Sequence, residues 1–203
     1  MGEVTIHLRD GETAVVGYGS LLSVKSLEKT LQRVYEGPFI PCRVAGWRRS
    51  WDVAMPNQMF YYVDQGERIY PHQILYLNLR PVAGALVNSA VFVVRPEELT
   101  AMHRREWIYD SVVVTDQLRG AHVQGGEAIV YVARPEHVLR DATNPREAAV
   151  RASYLKVVDE GLRQRDPAFR AEYAATTDPV PAHLVVEDVL DPERQNPWAA
   201  ARS

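Results

Sequence analysis

The sequence predicts an α+β fold, a small mixed β-barrel or sheet flanked by a few α-helices. Three observations predict it. Short strand-like runs recur from the start of the chain to about position 133, helical periodicity is confined to isolated segments, and the two do not alternate in the regular order of a doubly wound sheet. A chain of 203 residues with 46% hydrophobic composition can bury one substantial core, so two full domains are not expected. One domain over residues 1–180 is expected, followed by a C-terminal arm or tail over 181–203 that includes Asn196, Pro197 and Trp198.

Taken in order, Val4 to Leu8 and Thr13 to Tyr18 read as strands rich in β-branched residues. Ser23 is a candidate N-cap for a helix that carries Leu27, Leu31 and Val34 on one face and stops before Gly37 and Pro38. Extended runs follow at Cys42 to Val53, Met59 to Val63, Gln73 to Leu79, Ala85 to Val94, Ser111 to Leu118 and Glu127 to Ala133. Pro96 opens a short helix whose first turn carries Glu97 and Glu98, placed well for the helix dipole. A longer helix is expected from about Arg146 to Gln164, with Ala148, Ala152, Leu155 and Leu162 facing inward. Pro167 breaks the chain before a short helical piece at Phe169 to Tyr173.

A formal net charge of -3 gives no electrostatic reason to expect nucleic acid as a partner, and Arg43, Arg48, Arg49 and His103, Arg104, Arg105 read as solvated faces. No apolar run approaches the ~20 residues needed to cross a bilayer, so no membrane partner is expected. The single cysteine, Cys42, forms no intrachain disulfide and has no nearby histidine, so it reads as a small buried hydrophobe. With no basic and apolar leader at the N-terminus, a cytoplasmic setting is expected.

The sharpest local feature is Val16-Gly17-Tyr18-Gly19-Ser20-Leu21-Leu22, a strand ending on two glycines before a helix. It lacks the third glycine of a dinucleotide fingerprint, the Gly-Lys-Ser/Thr of a phosphate loop and the flanking glycines of a nucleophile elbow. The loop is either a cradle, in which the Ser20, Leu21 and Leu22 amides point outward at an anion, or a tight turn packed under the core. Glu106 lies seven residues after Leu99 and four after Met102, which places its carboxylate on the inward face of the helix. It is either a general base with a raised pKa or one half of a structural salt bridge. Arg105 is adjacent but need not face it, because neighbouring residues on a helix point apart. His103 and Glu106 have no second pair at metal-ligand spacing, so no metal is expected. Tyr109, Tyr154 and Tyr173 read as core or interface tyrosines from spacing alone.

Tyr18-Gly19-Ser20-Leu21-Leu22, followed far downstream by Arg104-Arg105-Glu106-Trp107-Ile108-Tyr109, resembles the gamma-glutamylcyclotransferase-like family. Val44-Ala45-Gly46-Trp47-Arg48 resembles its apolar-x-Gly-aromatic strand, Val91-Phe92-Val93-Val94 with Pro96-Glu97-Glu98-Leu99 resembles its strand into the glutamate helix, and Tyr154 to Gly161 its late helix. The match spans about positions 13 to 175. Trp107 and Ser89 stand where the family often has glycine, and Ala54 to His72 has no placed counterpart and is expected to be either a lid or a surface hairpin.

The resemblance implies a cofactor-free reaction in which the α-amine of a small-molecule γ-glutamyl substrate attacks its own γ-carbonyl and releases 5-oxoproline and an amine or amino acid. Glu106 would be the catalytic acid/base, and Tyr18, Gly19, Ser20, Leu21, Leu22 and Tyr109 would bind substrate. Two other functions stay open on the residues themselves: a binding module with the same cleft, and an amide hydrolase using Ser20 or Cys42.

Overall fold

The protein, described here from a computed structural model over residues 3–194, is organised around two long strands. The elements in the first half are β1 (Val4–His7), β2 (Thr13–Gly17), α1 (Val24–Leu31), β3 (Phe39–Pro56), β4 (Phe60–Asp64), β5 (Glu67–Ile69), β6 (Gln73–Val94), α2 (Pro96–Arg105) and β7 (Tyr109–Val113). The second half adds β8 (Leu118–Arg119), β9 (Ala121–Gln124), β10 (Ala128–Ala133), β11 (Ala148–Arg151), α3 (Ala152–Arg163), α4 (Pro167–Ala175), β12 (Val185–Val186) and β13 (Val189–Leu190).

Strands β3 and β6 pair antiparallel from Phe39 opposite Phe92 to Pro56 opposite Gln73. Register shifts at Ala45/Trp47 and Ser50/Val53 bend this ribbon, because a bulge adds a residue to one strand and increases its twist. The main sheet runs β12-β11-β6-β2-β10-β7, with β3 laid along β6 and β8. It is mixed: β2 lies antiparallel to β6 and parallel to β10, and β10 lies antiparallel to β7. The result is the α+β architecture expected from the sequence, a curled mixed sheet with helices packed on it.

Strand periodicity divides the core. In β2, Val16 packs in a cluster with Leu77, Leu79, Val130, Tyr154 and Tyr173, while its neighbour Val15 faces Leu27, Phe92, Met102 and Ile129. One wall of the sheet thus receives α3 and α4, and the other receives α1 and α2.

Several boundaries differ from the sequence expectation. Gln73 to Leu79 and Ala85 to Val94 belong to one strand, since Pro81 and Gly84 mark an irregularity, with left-handed Gly84 and Gly46 near the register shift, rather than a turn. Residues 148–151, expected to be helical, form β11, whose fully buried Ala148, Ala149 and Val150 pair with β6; α3 begins only at Ala152. Helix α1 stops at Leu31 on a left-handed Gln32, which leaves Val34 71% exposed rather than inward. Strand β7 ends at Val113, and a 3-10 turn occupies Thr115–Gln117. Arg49, expected on a solvated face, is fully buried: it donates to Asn88, Tyr173, Thr176 and Thr177 and stacks 3.6 Å from the Tyr173 ring centroid.

The 54–72 segment contains the β4–β5 hairpin, with left-handed Gln65 and Gly66 at its turn, and β13 pairs with β4. Beyond residue 180, β12 joins β11, so this part of the chain is stitched into the sheet. Asn196, Pro197 and Trp198 lie outside the described residues. No helix among the described residues is long and apolar enough to cross a membrane.

Candidate active site

Strand β2 delivers the chain to the site. After Gly17, the Tyr18 and Gly19 backbone turns into a 3-10 turn at Ser20–Leu22, closed by the Leu22 amide donating to the Gly19 carbonyl at 2.9 Å. That bond corrects one expectation: the Leu22 amide is occupied, and its side chain is fully buried in the core. The amides of Ser20 and Leu21 stand at the open start of the turn and have no partner within it. Helix α3 fixes the turn from behind, where Gly161 approaches so closely that a Cβ would lie 2.7 Å from the Leu22 carbonyl carbon and the Ser23 nitrogen.

Gly19 keeps room in front of the turn. A Cβ there would lie 3.0 Å from the Tyr154 hydroxyl and 3.5 Å from Leu77, so a side chain would fill the recess. The reason for glycine is space, with no left-handed backbone involved. Val16, Tyr18, Gly19, Ser20, Leu21, Leu77, Glu106, Tyr109, Tyr131 and Tyr154 line a recess of about 30 Å³, room for about one water-sized group. It adjoins an outer cavity of about 380 Å³, which shares Ser20, Glu106, Tyr109 and Tyr154 and is bounded also by Met55, Tyr76, Arg105 and Arg151. The larger space is of ligand size.

Glu106 reaches this junction because α2 ends one residue before it. Helix α2 is anchored by fully buried Met102, and Glu106 caps its C-terminus with φ -94° and ψ 31°. The helix thus stops short of Glu106, which the spacing from Leu99 and Met102 places within it, and Tyr109 opens β7. Leaving the helix brings Arg105 and Glu106 together, contrary to the expectation for helical neighbours: Arg105 Nε lies 2.9 Å from Glu106 Oε1. The Glu106 side chain is only 13% exposed. Burial raises its pKa above the ordinary carboxylate value, and the charge and hydrogen bond of Arg105 oppose that rise without cancelling it.

Arg105 ties the site together. Its Nη2 donates to Ser20 Oγ at 2.9 Å and Ser26 Oγ at 3.1 Å, and its Nη1 donates to the Ser26 carbonyl at 3.1 Å and to Thr30 Oγ1. Four tyrosines build the walls. Tyr18 donates to the Tyr131 carbonyl at 2.7 Å and Tyr109 to the Leu77 carbonyl at 3.0 Å, while Tyr131 meets His103 Nδ1 at 3.1 Å and Tyr154 packs edge-on to Tyr76. Burial raises the pKa of Tyr18, Tyr109, Tyr131 and Tyr154, with Glu106 among the charges that add to it, so these hydroxyls stay neutral and act as dipoles.

Tyr18, Gly19, Ser20, Leu21, Glu106 and Tyr109 thus meet at one place, and Leu22 stands behind it. No motif or spacing in the sequence marks Leu77, Tyr131 or Arg151 as site residues; Tyr154, at the start of α3, carries one signal, its place in the late-helix resemblance. Trp107 packs edge-on to His137 and Ser89 lies in β6 opposite Cys42; neither lines the recess or the outer cavity, so their bulk does not set its shape. Cys42 is buried, which pushes its thiol up to about 12, well away from a thiolate nucleophile. Ser20 Oγ accepts from a guanidinium, a group that cannot take its proton. Among the described residues no three of His, Cys, Asp or Glu are grouped to hold a metal ion.

No family model matches the chain, and no curated protein matches it. Solved structures do. An uncharacterized protein from Homo sapiens superposes with a TM-score of 0.53 at 14% identity, covering 85% of this chain and 91% of its own. A structure described as gamma-glutamyl cyclotransferase superposes with a TM-score of 0.53 at 11% identity, covering 84% and 90%. The chain has the gamma-glutamylcyclotransferase-like fold.

Proposed function

We propose that the protein is a gamma-glutamylcyclotransferase-type enzyme that converts a γ-glutamyl amide into 5-oxoproline and a free amine or amino acid. The observation that carries this is Glu106, a desolvated carboxylate at the junction of a small recess and a ligand-sized cavity, beside the open amides of Ser20 and Leu21.

Glu106 takes a proton from the substrate α-ammonium, and the freed amine attacks the γ-carbonyl carbon of the same molecule. A C–N bond forms, closing a five-membered ring. As the tetrahedral intermediate collapses, the bond to the departing nitrogen breaks and protonated Glu106 returns its proton to that nitrogen. The ring nitrogen releases its second proton to solvent, from which the departing amine is protonated. No water is consumed and no electrons are exchanged. Since attack is intramolecular, folding the substrate correctly in the cavity supplies much of the acceleration. The Ser20 and Leu21 amides hold the substrate α-carboxylate or the developing oxyanion. The raised pKa of Glu106 suits it to proton transfer near neutrality.

In this proposal residues 1–180 form the catalytic domain and the arm from 181 supports it. The test is mass-spectrometric detection of 5-oxoproline across a panel of γ-glutamyl amines, amino acids and peptides. Release from at least one of them, lost in Glu106→Gln, is expected; tight binding without release across the panel would replace the enzyme with a binding module.

A further inference from the structure

The outer cavity carries three charged side chains, and two of them are committed to each other. Arg105 pairs with Glu106 and directs its remaining donors at Ser20, Ser26 and Thr30. Arg151 is different. It stands at the last position of β11, as the N-cap of α3, with its side chain only 15% exposed. Its guanidinium lies 3.8 Å from the Phe60 ring centroid and 5.6 Å from that of Tyr76.

The polar surroundings of Arg151 are incomplete. Arg151 Nη1 forms an ion pair with the buried Asp188 carboxylate, but at 3.6 Å it is longer than a hydrogen bond, and that carboxylate already accepts from the Ser153 amide at 2.9 Å and from Ser153 Oγ at 2.6 Å. Tyr76 is its other polar neighbour: the charge of Arg151 and its hydrogen bond to the Tyr76 side chain oppose the burial that raises the Tyr76 pKa. Arg151 Nε is buried without a hydrogen-bond partner. A buried donor left unmatched is costly, and the guanidinium, seated over the Phe60 ring at the cavity wall, carries the planar fork that grips a carboxylate with two prongs.

We propose that Arg151 is a specificity residue that binds a carboxylate on the departing amine, so that the substrates are γ-glutamyl amino acids or peptides rather than γ-glutamyl monoamines. This rests on the reaction proposed above. Glu106 lines both the recess and the outer cavity, so a glutamyl head held at the Ser20 and Leu21 amides leaves its departing group in the space that Arg151 lines.

The test compares γ-glutamylalanine with γ-glutamylethylamide, which differ only in that carboxylate. Binding is measured by calorimetry on Glu106→Gln protein, and 5-oxoproline release on wild type. A charged hydrogen-bonded contact predicts that γ-glutamylalanine binds about 10- to 100-fold more tightly. Adding Arg151→Met should shrink that ratio towards one, and Arg151→Lys, which keeps the charge and loses the fork, should retain part of it. Equal affinities for the two ligands, or a ratio unchanged in folded Arg151→Met, would overturn the proposal. Should Arg151→Met not fold, the ratio with Arg151 intact and that of Arg151→Lys decide by the same criteria. A clear ratio without 5-oxoproline from either compound would leave the carboxylate site standing and remove the proposed reaction. Binding of neither compound would remove both.

Discussion

The two ends of α2 carry glutamates in opposite conditions. Glu98, in the first turn, and Glu106, at the C-cap, are both largely buried, with side chains 8% and 13% exposed. Burial pushes the Glu98 carboxyl up, but the hydrogen bonds from Arg33 and the Arg95 amide, and the charges of both arginines, outweigh it and bring the pKa below the ordinary value. Glu106 is desolvated more heavily and has only Arg105 in opposition, and its pKa stays raised. The helix dipole acts in the same sense, favouring an anion at the N-terminus and disfavouring one at the C-terminus. What distinguishes Glu106 is deeper desolvation with fewer partners, at the edge of a cavity.

The largest expected effect separates these two ends. Glu106→Gln keeps the shape but cannot carry a proton, so 5-oxoproline release should fall by about 10²- to 10⁴-fold while the protein stays folded. Glu98→Gln should leave release near wild type and lower stability by about 1–3 kcal/mol through the loss of a charged acceptor. Equal losses of turnover in both variants would erase the distinction. Denaturant melts against pH sharpen it, because the two shifts have opposite signs. With its folded pKa raised, Glu106 penalises the native state increasingly as pH climbs from the unfolded to the folded pKa; Glu106→Gln should therefore gain on wild type above that window and lose the gain in acid. With its folded pKa depressed, Glu98 contributes stability above the unfolded pKa that disappears as pH falls through the folded one, so the cost of Glu98→Gln should fade in acid.

The sequence made the ends of this helix partly legible. Pro96 and the acids behind it marked its start, and the spacing from Met102 placed Glu106 inward. The end was not legible, because no glycine marks where Arg105 gives way to the C-cap, and the Arg105 to Glu106 contact depends on that stop. The Tyr18 to Leu22 turn was visible from its glycines, whereas Leu22's occupied amide emerges only once the 3-10 turn closes. Residues 148–151 read as helix in the sequence because Ala-Ala-Val suits a helix as well as a buried strand, and only pairing with β6 decides between them. Arg151 at the end of that strand was hidden for the same reason, and so was the outer cavity it lines.

Next in size is Gly19→Ala. The new methyl would stand 3.0 Å from the Tyr154 hydroxyl and intrude on a recess of about 30 Å³, so a loss of catalytic efficiency on the order of tenfold to a hundredfold is expected with little change in melting temperature. Unchanged efficiency would mean that no oxygen of the substrate occupies the recess. A smaller effect, read as a displacement rather than a loss, is expected for Arg105→Met. Without the opposing charge, the Glu106 pKa rises further, and the acidic limb of the kcat/KM profile should move to higher pH. A limb that stays in place would assign the ionisation to another group.

Ser20→Ala should have the smallest effect, because the cradle is expected to grip through backbone amides that alanine retains. The lost hydroxyl accepts from Arg105 Nη2 at 2.9 Å, but that nitrogen also donates to Ser26 Oγ at 3.1 Å, and Arg105 Nε stays beside Glu106 at 2.9 Å. Losing one hydrogen bond among several is worth about 0.5–1.5 kcal/mol, so a rise in KM of a few-fold with kcat nearly unchanged is the expected split. Ser20→Pro sharpens this contrast, since proline suits the first position of a helical turn yet deletes the amide itself, and it should raise KM well beyond the alanine variant. Steady-state kinetics of the two variants side by side separate hydroxyl from amide. If Ser20→Ala abolished turnover and an acyl-serine could be trapped on the wild-type protein, the hydroxyl would be the nucleophile, and Glu106, however well desolvated, would not be the group that starts the reaction.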